Sequence, residues 1–378
     1  MDLSFSQEQE QFRQEVLDFL AQECDRTVVR QLEQSELGYS PEMWRQMAQR
    51  GWLGLVFPAE YGGRGKGFLD LVVLMEELGR CPCPCPYQTG VLQPGLVLLE
   101  LGSAAQKRRY LPAIAGGDLR FSFCLTEPSA SYDPGGVQVR GMTRGESWVL
   151  NGAKLFIQYA ASADQYLVVA RTRDNDDDPA DGLSLFLVDA ASEGIARTPL
   201  VTIADDKQCE IIFNQVLVPR ENLVGPLHRA WPAVQKAMTL CTIALCAEMA
   251  GGTQAALEYA VEYSKHRVQF GRPIGSFQAI QHYAANMLTD SDAARLSAYE
   301  AASRVDAGLP YDMETSQAKA VCSEAYQRVT AKGHQILGGI GFYKEIDMQL
   351  WYRRAKAMEQ LFGDADYHRE RVAQLMGL

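Results

Sequence analysis

Two long stretches with helical periodicity, joined by a short connection rich in glycine and proline, constrain the fold of this chain most strongly. Apolar residues recur at helical spacing over residues 239–263 and again over 279–305. Between them lies the segment 265–278 (KHRVQFGRPIGSFQ), in which Gly271 tolerates unusual backbone angles and Pro273 cannot continue a helix. The pattern therefore predicts a tight connection between two long helices.

Basic and aromatic side chains at this connection suit an anionic, flat ligand. Arg267 stands at the predicted end of the first helix, and Phe270 follows closely. A guanidinium group binds phosphate through two parallel hydrogen bonds and stacks on planar rings. A surface arginine beside a turn is more often simply solvated. A second glycine-rich segment at 335–341 (QILGGIG) favours a nucleotide site over that simpler interpretation.

Five motifs in matching order make the chain resemble the acyl-CoA dehydrogenase family. They are R-x-x-F-G-x-x-I-x-x-F-Q at 267–278, Q-x-x-G-G-x-G at 335–341, LTEP at 125–128, NGAK at 151–154 and WYRRAK at 351–356. The resemblance covers nearly the whole chain. It implies an α+β multidomain fold with an N-terminal α-helical domain (1–120), a middle β-barrel or sandwich domain (121–228) and a C-terminal four-helix bundle (229–378).

Local patterns agree with this α–β–α order. Ser6, with Gln9 three residues later, predicts a capping box, and Ser40 before Pro41 predicts another helix start. Short β-rich runs lie at 121–124, 138–139, 148–150, 166–170, 183–188 and 209–213, and predict a small antiparallel barrel or sandwich. Four long helical segments then lie at 231–265, 277–307, 312–337 and 343–362.

The composition is that of an ordinary globular protein and argues against several function classes. Of 378 residues, 47% are hydrophobic and 22% are charged, and the net charge of −11 argues against a nucleic-acid partner. No run of about eighteen apolar residues is present, so we expect no transmembrane helix, and the acidic N-terminus is unlike a signal peptide. The nine cysteines lack the spacing of a small secreted protein and predict a reducing cytoplasm.

Cysteine and proline alternate over residues 81–86 (CPCPCP), which suggests a metal site at first sight. Structural zinc sites usually space paired cysteines by two to four residues and need four ligands. Proline at every second position holds the chain extended, so alternate cysteine side chains do not easily converge on one ion. A stiff loop between helices is the favoured interpretation, and we predict no metal site.

The resemblance implies a flavin reaction on an acyl-CoA thioester. In the family, a Glu removes the proton α to the thioester carbonyl while the flavin of FAD takes a hydride from the β carbon. The FAD lies across a dimer interface, where one chain holds the flavin ring and its neighbour holds the diphosphate and adenine. The residues that match this second role are Arg267, Phe270, Gln278, Gln335, Gly338, Gly339 and Gly341.

The family's catalytic base has no counterpart at its usual positions. Phe362 stands where most members carry Glu, and Cys241 occupies the alternative position on the first bundle helix. An apolar setting raises the pKa of a thiol, so Cys241 is a poor substitute. The loop 87–99, which carries an Asp in another subset of the family, contains no acidic residue here.

Three other acidic residues remain as candidate substitutes for the base: Glu248, Glu359 and Asp364. Each is better explained as a surface or structural charge. Asp364 also replaces a family Thr near the diphosphate, where a carboxylate would oppose an anion, the more strongly in a water-poor pocket.

The positions expected at the flavin ring have changed as well. Leu125 and Thr126 are kept, but Tyr132 replaces a small hydroxyl donor. Phe156 and Gln158 stand where family members have Trp and then Thr or Ser. Several independent changes in one half-site favour its loss over drift at a single position.

These differences lead to the hypothesis of a chain that completes the FAD site of a catalytic partner and has no working flavin site of its own. The resemblance implies an acyl-CoA substrate, with a bulky, branched or ring-derived acyl group as in sterol degradation. It also implies a paralogous subunit in an α2β2 heterotetramer, or a homotetramer, with electron-transfer flavoprotein as electron acceptor. Two alternatives remain: a homo-oligomeric flavin enzyme with other chemistry, such as a monooxygenase, and a non-catalytic acyl-CoA-binding protein.

Overall fold

A computed structural model of the chain describes residues 5–175 and 177–378, and its elements follow the predicted α–β–α order. The N-terminal helices are α1 (Gln7–Glu23), α2 (Arg26–Gln34), α3 (Pro41–Gln49), α4 (Phe68–Arg80), α5 (Gln93–Leu101) and α6 (Ala104–Ala115). The predicted capping box of Ser6 and Gln9 is present, and Ser40 caps α3 with Pro41 as its first residue. A π-helical turn, Gln88–Leu92, leads into α5.

Eight strands of the middle region form one sheet. They are β1 (Phe121–Cys124), β2 (Arg140–Arg144), β3 (Ser147–Gln158), β4 (Gln165–Arg171), β5 (Leu183–Asp189), β6 (Ile195–Leu200), β7 (Gln208–Pro219) and β8 (Leu223–Val224). The sheet has the order β6-β7-β3-β2-β4-β5-β8, and β1 pairs with β4. The prediction of an antiparallel sheet is right for most pairs, but β1 and β2 both pair with β4 in parallel.

One predicted strand is absent, for a clear physical reason. Residues 138–139 were expected to be extended in the sheet, yet β2 begins only at Arg140. The backbone N–H groups of Gln138 and Val139 donate to the buried carboxylate of Glu127, at 2.8 and 3.0 Å. These donors are therefore not available to a β-ladder.

The C-terminal part contains five long helices and a small hairpin. The helices are α7 (Trp231–His266), α8 (Gln278–Asp306), α9 (Asp312–Leu337), α10 (Met348–Gln360) and α11 (Ala365–Leu375), and the hairpin strands are β9 (Val268–Gln269) and β10 (Arg272–Pro273). The first four helices match the predicted segments closely. The prediction of four helices missed α11.

The chain divides into two compact units, each made of separate segments. The helical unit comprises Met1–Gln31, Gly67–Cys83 and Thr242–Leu378, and the sheet unit comprises Leu32–Lys66 and Pro84–Cys241. In the sheet unit, the core is formed by side chains of the strands such as Trp148, Tyr166 and Phe186. In the helical unit, α9 packs against α8, α10 and α11, and α4 packs against α1 and α8.

α7 is long and apolar enough to cross a membrane by length and composition alone. The lack of a run of about eighteen apolar residues led us to expect no transmembrane helix. In the structure, 89% of the most apolar 18-residue window of α7 is buried inside the protein. Burial of this kind is typical of a core helix, because a helix that is apolar on all sides must be covered.

Candidate functional site

The predicted tight connection between α7 and α8 is a β-hairpin with a two-residue loop. Gln269 pairs with Arg272 in β9 and β10, which leaves Phe270 and Gly271 as the loop. Both loop residues have positive φ, +54° and +78°, as a type I′ turn requires. Glycine adopts this conformation without strain, whereas phenylalanine does not. Phe270 nevertheless occupies it and is 91% exposed.

Arg267 is held by its backbone while its side chain stays available. Its N–H donates to Tyr263 O at 2.9 Å, and its carbonyl accepts from Ile274 N at 2.8 Å. The preceding basic residues pair with one acid, since Lys265 and His266 both contact Glu262, at 3.2 and 2.6 Å. Within the described residues, the exposed Arg267 guanidinium has no hydrogen bond or ion pair. It is therefore free to bind an anion.

The second glycine-rich segment ends α9 in the helical unit. Gly338 has φ +68° and ψ −142°, a conformation restricted in practice to glycine. A Cβ atom added at Gly338 or Gly339 would meet no described atom within 4 Å. A Cβ at Gly341 would instead lie 3.1 Å from His334 Nδ1. Packing within the chain therefore explains Gly341 but not Gly339, whose bare backbone suits the close approach of another molecule.

The two predicted amide groups of this half-site lie at the ends of the same helices. Gln278 is the first residue of α8, and Gln335 lies in the last turn of α9. Both residues are exposed. All seven residues predicted to bind the FAD tail, that is, its diphosphate and adenine, belong to the helical unit. Apart from the buried Gly341, they lie at its surface.

The turn between α10 and α11 holds Phe362 where the resemblance places a base. The Phe362 side chain is buried at 7% exposure, and its backbone lies in the left-handed region with φ +61°. Its carbonyl accepts a hydrogen bond from Nε2 of the buried His368 at 3.0 Å. A phenyl ring cannot accept a proton, so this turn offers no base at position 362.

Cys241 is equally unsuited to proton abstraction. It is fully buried in α7, and this burial raises the pKa of its thiol well above the ordinary value. Since only the thiolate accepts a proton, Cys241 stays in its inactive form at neutral pH.

Two of the three candidate substitutes for the base have contacts typical of structural residues. Asp364 is the N-cap of α11, where its carboxylate accepts from Tyr367 N at 2.9 Å. The carboxylate of Glu359 accepts a hydrogen bond from the side-chain amide of Gln327. Glu248 differs, because burial within α7 raises its pKa to about 7, partly offset by the positive charge of Arg354.

Lys319 is a residue of this region that the sequence analysis did not identify. It is completely buried in α9, and its ammonium donates to Glu359 O and Gly363 O at 2.8 Å each and to Ser323 Oγ at 3.0 Å. These contacts join the last turn of α10 to the 361–364 turn. No local motif signals this role, because the acceptors lie some forty positions away in the sequence.

Two of the family motifs meet in the sheet unit as a buried ion pair. Lys154 Nζ lies 2.8 Å from Glu127 Oε1, and both side chains are almost fully buried. Lys154 also donates to Leu125 O at 2.8 Å. Burial lowers the pKa of Lys154, and the charge of Glu127 opposes this effect. The LTEP and NGAK motifs thus hold the 125–128 segment against β3.

The sheet-unit residues predicted to contact the flavin ring provide only some of the hydrogen-bond donors and aromatic surface that would hold such a ring. Thr126 Oγ1 donates to Leu155 O at 2.6 Å, so its proton is not available to a ligand. Phe156 sits at a bulge of β3 with φ +60° and 46% of its surface exposed. Gln158 pairs with Gln208 of β7. Leu125 is buried, and the partly buried Tyr132 carries no small hydroxyl.

The two half-sites therefore differ in how well they fit FAD. The helical unit offers a free guanidinium, exposed amides and a bare glycine backbone, which fit the phosphates and the rings of a nucleotide. The sheet unit offers an exposed aromatic ring at Phe156, but the hydroxyl of Thr126 already donates its hydrogen bond to Leu155 O. Small hydroxyl donors are missing at positions 132 and 158. Among the described residues, no group of three or more His, Cys, Asp or Glu side chains has the arrangement of a metal site.

Comparison with known families accounts for most of the chain. The family models described as the N-terminal, middle and C-terminal domains of acyl-CoA dehydrogenase match residues 6–118, 122–216 and 229–377. The chain is 31% identical to the 3-(aryl)acrylate reductase of Clostridium sporogenes, with 98% of each chain covered.

Solved structures give the same result. The butyryl-CoA dehydrogenase of Megasphaera elsdenii has a TM-score of 0.92 and 28% identity, with 100% of both chains covered. A chain of the ChsE4–ChsE5 complex from Mycobacterium tuberculosis has a TM-score of 0.90 and 26% identity, covering 100% of this chain and 99% of its own.

Proposed function

Since this chain belongs to the acyl-CoA dehydrogenase family, a family of FAD-dependent oxidoreductases, we propose that it completes the FAD site of a paralogous catalytic chain and supplies no base itself. The observation that carries the proposal is the contrast within the helical unit. Arg267 and Gly339 remain open to a nucleotide, whereas the position at which the resemblance implies a base holds the buried Phe362.

In the proposed complex, this chain binds and orients the nucleotide part of FAD. Arg267, Gln278 and Gln335 would hold the diphosphate, and the bare backbone at Gly338 and Gly339 would leave room for the cofactor. When bound, FAD supplies the acceptor for the hydride of the acyl thioester. Proton removal belongs to the partner chain, because Phe362 and Cys241 cannot perform it.

The partner and the substrate follow from the same reasoning. We place the chain in an α2β2 heterotetramer with a paralogous acyl-CoA dehydrogenase subunit, acting in the cytoplasm and passing electrons to electron-transfer flavoprotein. The likeness to a chain of a two-protein complex supports a heteromeric assembly. Loss of half of the active sites leaves room for a bulky, branched or ring-derived acyl group, which is the substrate class that we propose.

The proposal is tested by measuring thioester-dependent dye reduction with three preparations. These are this chain alone, a paralogous acyl-CoA dehydrogenase chain of the same organism alone, and the two chains produced together. We expect activity only from the complex. Replacing the base of the paralogous chain should abolish that activity, whereas Glu248→Gln in this chain should leave it unchanged. Oxidation of an acyl-CoA by this chain alone would contradict the proposal.

A further inference from the structure

Three thiols that the proposed function does not use meet in the helical unit. Cys24 and Cys81 are the C-cap residues of α1 and α4, and all three cysteines are free. The Cys81 thiol donates to Cys24 O at 2.9 Å, and Cys24 and Cys81 line the same cleft.

The electrostatic environment distinguishes the two cap thiols. Hydrogen bonds from Cys81 and Cys83, together with the charge of Arg354, lower the pKa of Cys24 to about 4. The pKa of Cys81 is raised by its hydrogen bond to Cys24 and by burial. The Cys81 S–H donates to Cys24 O, so Cys24 is the thiol of the pair that loses its proton more readily. The thiolate is the nucleophilic form of cysteine.

A cleft gives access to this pair from solvent. It has a volume of about 480 Å³, and its lining includes Cys24, Cys81 and the three arginines Arg26, Arg30 and Arg80. Cys24 is only 2% exposed, whereas Cys81 is partly exposed. A reagent that reaches the sulfur of Cys24 must therefore be small. Hydrogen peroxide meets this condition, and a bulky peptide disulfide does not.

We propose that Cys24 and Cys81 are a reversible oxidation site for hydrogen peroxide, closed by a disulfide between the ends of α1 and α4. The Cys24 thiolate attacks one peroxide oxygen, the O–O bond breaks, and one proton is taken up, giving Cys24 sulfenic acid and water. The Cys81 thiol then attacks the Cys24 sulfur. The S–S bond forms, the S–O bond breaks, and the hydroxyl leaves as water with the thiol proton. The two cysteines are oxidised by two electrons, and the peroxide is reduced.

The site is tested on the reduced full-length chain without FAD or thioester, so the outcome is independent of the proposed function. The protein is titrated with hydrogen peroxide, and its remaining thiols are alkylated. The cross-linked peptides are then sequenced by mass spectrometry, in which fragmentation between Cys81 and Pro82 distinguishes a cross-link at Cys81 from one at Cys83. We expect a Cys24–Cys81 disulfide at peroxide concentrations about tenfold lower than those that oxidise Cys124, a fully buried thiol of the sheet unit. A reducing dithiol should restore both thiols.

Two matched variants separate the resolving thiol from its neighbour. Cys81→Ser should abolish the disulfide and leave a sulfenic acid at Cys24 that dimedone labels, whereas Cys83→Ser should keep the disulfide. Far-UV circular dichroism checks that both variants are folded. If a variant does not fold, the disulfide mapping of the native chain still tests the proposal. Cross-linking of Cys24 to Cys83 in the native chain, or an alkylatable Cys24 after Cys124 is oxidised, would overturn the proposal.

Discussion

Phe270 and Arg267 are both largely exposed at the hairpin, although the Phe270 ring meets the ring of Phe277 edge-on at 6.0 Å. Phe270 has a positive φ, which strains the backbone of a residue with a Cβ atom. Its ring is also 91% exposed, so the isolated chain gains little stabilisation from burying it. Arg267 has no partner in the described residues, although Glu262 nearby pairs with Lys265 and His266. Under the proposed function, the FAD shared with the partner chain would cover both residues.

The contribution of Arg267 is tested in the complex of the two chains. Arg267→Ala removes hydrogen bonds to an ionised group, each of which contributes about 1.5–3 kcal/mol. FAD affinity should therefore fall about ten- to a hundredfold, measured by fluorescence titration of the cofactor-depleted complex. Arg267→Lys should recover only part of the loss, because an ammonium cannot bind both phosphate oxygens in one plane.

Lys265→Ala is the matched control for this measurement. Lys265 carries the same charge two residues earlier, but it pairs with Glu262 at 3.2 Å. FAD affinity should stay close to that of the native complex. An equal loss in both variants would mean that net charge, and not the guanidinium of Arg267, attracts the cofactor.

Glu248 should make stability depend on pH. Its pKa in the folded chain is raised by burial from 4.5 to about 7, so the folded state binds more protons than the unfolded state between these values. The free energy of unfolding must then fall as pH rises from about 4.5 to about 7, by up to about 3 kcal/mol. Glu248→Gln removes this dependence. Urea unfolding at pH 5 and pH 7.5 should show that the free energy of unfolding of the variant, relative to that of the native chain, is higher at pH 7.5 than at pH 5. An equal difference at both values would contradict the raised pKa.

At the scale of elements, a buried ammonium anchors the turn between α10 and α11. Lys319 donates to the carbonyls of Glu359 and Gly363, which are the last turn of α10 and the turn itself. Asp364 then caps α11. The turn that contains Phe362 is thus anchored on both sides.

Removing this ammonium should destabilise the helical unit. Lys319→Met leaves two buried carbonyl oxygens without donors, at a cost of about 1–3 kcal/mol each. The urea midpoint should fall accordingly, with an unchanged slope. Lys332→Met on the same helix is the control, because Lys332 is exposed and its main contact is the ring of Tyr283. Its loss should cost less than about 1 kcal/mol. Equal effects of the two substitutions would rule out the anchoring role of Lys319.

The elements predicted well were those whose signals are local. The capping box at Ser6 and the helix Asp312–Leu337 were visible in spacing and end residues alone. β6 was missed because it is a largely exposed edge strand without apolar alternation. The expected strand at 138–139 was wrong because the Glu127 carboxylate takes its donors. Contacts between distant segments, such as those of Lys319 or Cys24, have no local signature.

At the scale of the whole molecule, family membership determines the fold but not the activity of this chain. The three family models together match nearly all of it, and the five motifs were readable in the sequence. Two of those motifs, LTEP and NGAK, form the buried Glu127–Lys154 ion pair of the sheet unit, which holds the 125–128 segment against β3. The seven predicted FAD-tail residues and the altered ring-half positions remain a prediction, because they concern a cofactor and a second chain.

FAD stoichiometry tests the central claim most directly. The chain is purified alone and together with its paralogous partner, and FAD is released by denaturation and counted against protein by absorbance. The imbalance between the two half-sites predicts a colourless chain when it is purified alone, and one FAD for each pair of chains in the complex. One FAD per chain in the chain purified alone would contradict the account.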